Sequence, residues 1–141
     1  MADPHDPVGV AKPTGWFWWL GGRAGRREYW LYAALLFALG VILSHAPPVI
    51  DLAASIMMIL VMVRRAHDLG RTGWWGVAAA LAPIPPVVIL FYLSGENVAL
   101  AVGYGLSIVL TIILGALPGD AGDNRFGPPP PFTARRVLTG R

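Results

Sequence analysis

The sequence predicts an all-α, polytopic membrane protein with four transmembrane helices and both termini in the cytoplasm. Three observations carry that prediction. First, 55% of the 141 residues are apolar and only 13% are charged, about half the charged share of a typical soluble domain. Second, long runs lack any Asp, Glu, Lys or Arg: 22 residues between Glu28 and Asp51, 24 between Arg71 and Glu96, and 23 between Glu96 and Asp120. About 20 apolar residues cross a ~30 Å hydrocarbon core. Third, the eleven basic residues alternate with these runs. There are four apolar stretches, Tyr29–Ala46, Pro48–Val63, Thr72–Gly95 and Asn97–Leu117. Lys12, Arg23, Arg26 and Arg27 precede the first, Arg64, Arg65 and Arg71 lie between the second and third, and Arg125, Arg135, Arg136 and Arg141 follow the fourth. The gaps at Ser44–Asp51 and Ser94–Asn97 hold none. Cytoplasmic loops are enriched in Lys and Arg, so this alternation places every basic residue on the inner side.

Residues Met1–Gly15 are polar, with three Pro and two Gly, and read as a flexible N-terminal arm. The membrane domain spans residues 16–127. It opens with Trp16–Leu20, an aromatic run suited to the headgroup level and too short for the apolar core of a signal peptide, so the first span itself directs insertion. Gly21-Gly22 breaks the chain before span one, Tyr29–Ala46. Span two, Pro48–Val63, is the weakest, because Asp51 leaves 12 uncharged residues before Arg64 and must sit in the outer headgroup zone. Leu69-Gly70 reads as a helix stop with Gly in the left-handed cap position. Span three, Thr72–Gly95, carries Pro83-Ile84-Pro85-Pro86 near its centre, and the missing backbone donors predict a kinked helix.

Span four, Asn97–Leu117, places Ala99, Gly103, Ser107, Thr111 and Gly115 at every fourth position. Small residues at that spacing allow close helix packing in membranes, within the chain or in a homo-oligomer. Residues 128–141 form a proline-rich, basic C-terminal tail, with Pro128–Pro131 favouring extended polyproline geometry. The six Trp residues (Trp16, Trp18, Trp19, Trp30, Trp74, Trp75) all fall at the inner interface.

The candidate site is the inner-face cluster. Within Arg64-Arg65-Ala66-His67-Asp68, a continuous helix brings Arg64 to His67 and Asp68, and Arg65 to Asp68, at i+3 and i+4. Trp74 and Trp75 follow closely. Arg23, Arg26, Asn124 and Arg125 approach the same surface from other segments. Forked Arg donors suit an anionic headgroup or phosphate; a structural network tying the inner loops together is the competing reading.

Other chemistry lacks support. Cysteine is absent, which excludes disulfides, iron–sulfur sites and thiol nucleophiles. His5, His45 and His67 are too scattered for a metal site, and no phosphate-binding Gly-rich loop or nucleophile elbow is present. Apart from Asp51 near an outer end, the spans hold no carboxylate, Lys or Arg of the kind a proton-coupled transporter uses. The sequence points to no catalytic residue, cofactor or metal. The net charge of +3 reads as topology signal and attraction to anionic inner-leaflet lipid, and not as nucleic-acid binding.

Three blocks carry a family resemblance: Gly22-Arg23…Arg26…Glu28-Tyr29-Trp30, Arg64-Arg65-Ala66-His67-Asp68…Gly70-Arg71-Thr72-Gly73-Trp74-Trp75, and Gly122-Asp123-Asn124-Arg125-Phe126-Gly127-Pro128. Together they resemble the bacterial inner-membrane family known as domain of unknown function 805, over about Trp16 to Pro130. Ala66 stands where the family usually has Leu, and Thr72 where it has Ser. The resemblance implies a multi-pass protein of the bacterial inner membrane and brings no activity. The sequence reading of function is therefore a small, non-enzymatic inner-membrane protein that binds anionic lipid or a protein partner through its cytoplasmic face. The alternatives are a membrane enzyme acting on a phosphate-bearing lipid, with His67 and Asp68 as acid–base groups, and an oligomeric transporter or channel.

Overall fold

The computed structural model describes residues 19–43, 45 and 47–130. The N-terminal arm, Trp16 and Trp18, and the tail beyond Pro130 lie outside the described residues. Among the described residues the chain forms five helices and no strand: α1 (Arg26–Ile42), α2 (Pro48–Asp68), α3 (Gly73–Leu81), α4 (Ile84–Ser94) and α5 (Glu96–Ala116). Two helical stretches are long and apolar enough to cross a membrane, Gly73–Ser94 taken through its interruption and Glu96–Ala116.

Local chemistry sets each boundary. α1 starts after Gly25 in extended conformation and includes Arg26, Arg27 and Glu28 in its first turn, three residues earlier than the apolar run begins. Pro47 and Pro48 open α2; proline at the first helical position sacrifices an N–H that has no helical partner anyway. α2 runs past the apolar stretch through Arg64–Asp68, so the charged block is helical. It stops where the sequence predicts. Gly70 adopts φ 68°, its N–H donates to the His67 carbonyl, and the Arg71 N–H donates to the Ala66 carbonyl. Those two bonds form a Schellman cap, which requires a left-handed residue at Gly70.

The Pro83–Pro86 cluster is accommodated by an interruption. α3 ends at Leu81, and α4 begins at Ile84 with Pro85 and Pro86 in its first turn, where backbone donors have no helical partner. Gly95, at φ 84°, is at once the C-cap of α4 and the N-cap of α5, so these two helices turn back on each other through one residue.

At one end of the fold the helices converge: the start of α1, the end of α2 and the end of α5 meet around Arg23, Arg65 and Asp68. The apolar core lies just beyond them, in Tyr29, Val61 and Met62 with Trp19, Tyr32, Met58, Ala80 and Leu114 against them. α3 crosses α2 closely at Gly76, where a Cβ would stand 2.5 Å from the Met62 and Val63 backbone. Farther out the large apolar side chains face outward, among them Phe37, Ile42, Leu52 and Leu93. A soluble monomer rarely exposes so continuous an apolar surface.

The small-residue stripe of α5 packs against this same chain. A Cβ at Gly103 would stand 2.5 Å from Val87 Cγ2 of α4, and one at Gly115 would stand 2.5 Å from the Trp30 ring of α1. The Tyr29 hydroxyl donates to the Thr111 carbonyl at 3.1 Å. Ala99 is buried, whereas Ser107 is exposed and donates to the Gly103 carbonyl of its own helix.

Candidate functional site

Arg65 is the centre of the cluster where these helix ends meet. It is fully buried and projects from the last turns of α2. Its Nε donates to the Leu114 carbonyl at 2.9 Å, Nη2 donates to the Leu117 carbonyl, and Nη1 donates to Asp68 Oδ2 and to the Ala24 carbonyl. Leu114 and Leu117 lie at the C-terminal end of α5, where carbonyls lack helical partners and the helix dipole is negative. One guanidinium thus caps α5, pairs with its own helix at i+3 and holds the segment leading into α1.

Asp68 is shared by two cations. Its Oδ1 accepts from Arg23 Nε at 3.0 Å and lies 3.0 Å from Arg23 Nη2, while Oδ2 takes Arg65. Arg23, itself buried, spends its remaining donors on the carbonyls of Gly122, Gly127 and Asp120. The Asp68 carbonyl accepts the Asp120 N–H at 2.8 Å. Gly119 lies against the Asp68 carboxylate so closely that no Cβ fits. The loop after α5 is therefore fastened to the end of α2 through both backbone and side chain.

Arg64 forms a second pair. Its Nη1 lies 2.8 Å from Glu28 Oε1, Nη2 donates to the Arg23 carbonyl, and the guanidinium lies 4.3 Å over the Trp19 ring. The Ala24 N–H closes the loop by donating to the Arg64 carbonyl. Three buried cations thus meet two buried acids, Glu28 and Asp68, and backbone carbonyls take up the remaining positive charge. Buried ions are tolerated where such bonds satisfy them, as at Arg23 and Arg65. Arg64 keeps its ion pair to Glu28, but its Nε is buried without a hydrogen-bond partner among the described residues.

His67 is packed. Its ring stacks on Phe126 with centroids 3.9 Å apart, and Nδ1 donates to the Gly22 carbonyl at 3.2 Å. Burial pushes its pKa below the ordinary 6.5; the Gly22 carbonyl opposes that shift, and Arg125 and Arg64 reinforce it. Asn124 Nδ2 donates to the His67 carbonyl and to Asp120 Oδ2. Asp68 is thus engaged by two guanidinium ions, and the His67 ring is fixed in place through Nδ1 and its aromatic face.

Of the residues the sequence singles out, Arg23, Arg64, Arg65, His67, Asp68 and Asn124 come together in this knot. The others lie around it. Arg26 is exposed on the first turn of α1. Arg125, also exposed, donates to the Gly70 carbonyl. Trp74 and Trp75 are 78% and 62% exposed, outside the network, with Trp75 under Arg71 at 5.7 Å. Sequence reasoning assigned no cluster role to Glu28, Trp19, Phe126 or Gly119, although Glu28 and Phe126 lie inside the quoted blocks.

The family model described as protein of unknown function (DUF805) matches residues 17–128, which include every member of the knot. The uncharacterized protein YiiR of Escherichia coli strain K12 is 26% identical, with 79% of this chain and 86% of that protein covered. YiiR of Escherichia coli O157:H7 gives the same figures. No solved structure matches.

Proposed function

This chain belongs to the DUF805 family of proteins of unknown function, and from that premise we propose that it is a non-enzymatic protein of the bacterial inner membrane that binds anionic lipid through its cytoplasmic face. In this reading four spans cross the bilayer: α1, the Pro48–Val63 part of α2, α3 continued by α4, and α5. Both termini are cytoplasmic, and the break at Ala82–Pro83 serves as the kink of the third span.

The observation that carries the reading is the division of the inner-face cations into two sets. Arg23, Arg64 and Arg65 are buried and held within the chain, with Asp68 as counter-ion to Arg23 and Arg65 and Glu28 as counter-ion to Arg64. Arg26, Arg27, Arg71 and Arg125 are exposed, as are Trp74 and Trp75, with Arg71 lying over the Trp75 ring. The first set fastens the helix ends together. The second presents positive charge, at Arg71 beside the Trp75 ring, and exposed cations with amphipathic rings engage anionic headgroups at a membrane surface. A protein partner is the other occupant of this face. Catalysis finds less support, because Asp68 is held by two guanidinium ions and the His67 ring is fixed by the Gly22 carbonyl and by stacking on Phe126. Assembly into a transporter or channel also finds less support, since the α5 stripe meets α1 and α4 of the same chain.

The test is native mass spectrometry of the full chain in mild detergent with phosphatidylglycerol or phosphatidylcholine. The wild type should retain phosphatidylglycerol preferentially. Each exposed Arg near an anionic surface is worth about 1 kcal/mol. The triple variant Arg26→Gln, Arg71→Gln, Arg125→Gln should therefore weaken retention on the order of a hundredfold without altering the melting temperature. A wild type without that preference, or a triple variant that keeps it, would overturn the reading.

A further inference from the structure

Between α3 and α5 the packing opens into a groove of about 660 Å³. Gly76 draws α3 against α2, while Ala78, Ala79 and Ala82 face α5 with side chains too small to fill the gap. Leu110, Ile113 and Leu117 form the opposite wall. Arg71 and Trp75 also line this groove, and the Arg71 guanidinium lies 5.7 Å over the Trp75 ring. Trp75 is largely exposed, as is Arg71. Arg125 donates to the carbonyl of Gly70, the residue before Arg71, so two cations stand at the inner end.

We propose that this groove is a lipid site, holding one acyl chain of an anionic phospholipid with its headgroup phosphate on Arg71. The proposal rests on the inner-face reading above and names its place. The volume lies in the ~300–1,000 Å³ range of small-molecule sites, which are mostly apolar with a few directing polar groups. From Leu117 to Leu110 the wall extends seven residues of helix, about 10 Å at 1.5 Å per residue. The groove therefore starts at headgroup level and runs into the apolar zone.

Charge selects the occupant. A neutral apolar molecule makes no use of Arg71, whereas a lipid phosphate forms a charge-assisted pair with a guanidinium. The cavity lined by Arg26 and Arg27 is a poorer anion site, because Glu28, Asp68 and Asp120 line it too. A second copy related by a twofold axis along the membrane normal would bring two Arg71 residues to one depth, which like-charge repulsion opposes.

The experiment titrates the detergent-solubilised full chain with phosphatidylglycerol and with phosphatidylcholine, counting bound lipid by native mass spectrometry. Ala78→Phe fills the groove, Ala82→Leu fills it more mildly, and Arg71→Gln removes the headgroup partner. The wild type should hold one phosphatidylglycerol through dissociating conditions. Arg71→Gln should lower that retention about fivefold, the worth of one Arg near anionic lipid, and either filling variant should abolish it at unchanged melting temperature. Should Ala78→Phe fail to fold, Ala82→Leu and Arg71→Gln give the same readout. Phosphatidylglycerol lost in Arg26→Gln but held by all three groove variants would overturn the groove and leave inner-face binding standing. A wild type that takes both lipids equally would overturn both.

Discussion

Replacing Asp68 with alanine strips the counter-ion from two buried guanidinium groups at once. In the folded protein the Asp68 side chain is 5% exposed and those of Arg23 and Arg65 are 1% and 0% exposed, so water cannot replace the lost carboxylate. Breaking one buried ion pair by removing a partner costs about 3–5 kcal/mol, and here one deletion orphans two cations that stand beside Arg64. Asp68→Ala should therefore lose at least about 3 kcal/mol. The control is Asp120→Ala. Asp120 is exposed, its side chain accepts from Asn124 at 3.0 Å, and its contribution to Arg23 comes from the backbone carbonyl, which alanine keeps. That change should cost about 1 kcal/mol. Asp68→Asn preserves the shape without the charge and should behave like Asp68→Ala. Equilibrium unfolding in mixed micelles measures all three. If Asp68→Ala costs no more than Asp120→Ala, the inner-face ions are solvated and the knot does not hold the helices.

Three further outcomes follow from packing and protonation. Gly76→Ala should destabilise by about 1–3 kcal/mol, because the added Cβ meets the backbone of α2 at 2.5 Å and a backbone cannot step aside. Gly105→Ala, with nothing within 4 Å, should be neutral or stabilise by up to about 1 kcal/mol; equal unfolding midpoints for these two variants would contradict the close crossing. Gly103→Leu should lower the melting temperature by forcing α4 from α5 while leaving the oligomer size in light scattering unchanged. A dissociated oligomer at unchanged melting temperature would instead assign the stripe to a second copy. Burial holds His67 below its ordinary 6.5, so on acidification the unfolded chain takes up a proton before the folded one. The stabilisation from neutral His67 is complete above pH 6.5 and falls as pH drops through that value. Denaturation curves at pH 7.5 and 5.5 should show a loss in the wild type that is reduced in His67→Phe. An identical loss in both would place the titration elsewhere.

Some of this was legible in the sequence and some was not. The Schellman stop at Gly70 was readable because only glycine adopts its backbone angles without strain. The clustering of Arg23, Arg64, Arg65, His67, Asp68 and Asn124 was readable from charge, since unlike charges at one end of a set of apolar helices seek one another. The carbonyl partners were not: Arg65 is bound by the backbone of Leu114 and Leu117, and any residue type supplies a carbonyl. Nor was the fate of the tryptophans. Trp19 lies under Arg64 while Trp74 and Trp75 face outward, a division set by where each helix points and not by residue type. The proline cluster predicted a disturbed helix but not how it is relieved. Placing Pro85 and Pro86 in the first turn of a new helix removes the cost of their missing donors.

The threading on which the inner face depends is the most direct thing to measure. The chain contains no cysteine, so each introduced thiol reports alone. Three single variants, His45→Cys, Ser94→Cys and Asp123→Cys, are treated in intact spheroplasts with a membrane-impermeant maleimide. All three positions are exposed in the fold, so protection reports the membrane and not packing. The account predicts labelling at His45→Cys and Ser94→Cys in intact spheroplasts, and at Asp123→Cys only after lysis. Labelling at Asp123→Cys before lysis, or protection at Ser94→Cys, would place the Arg–Asp knot on the wrong side of the membrane and contradict the account.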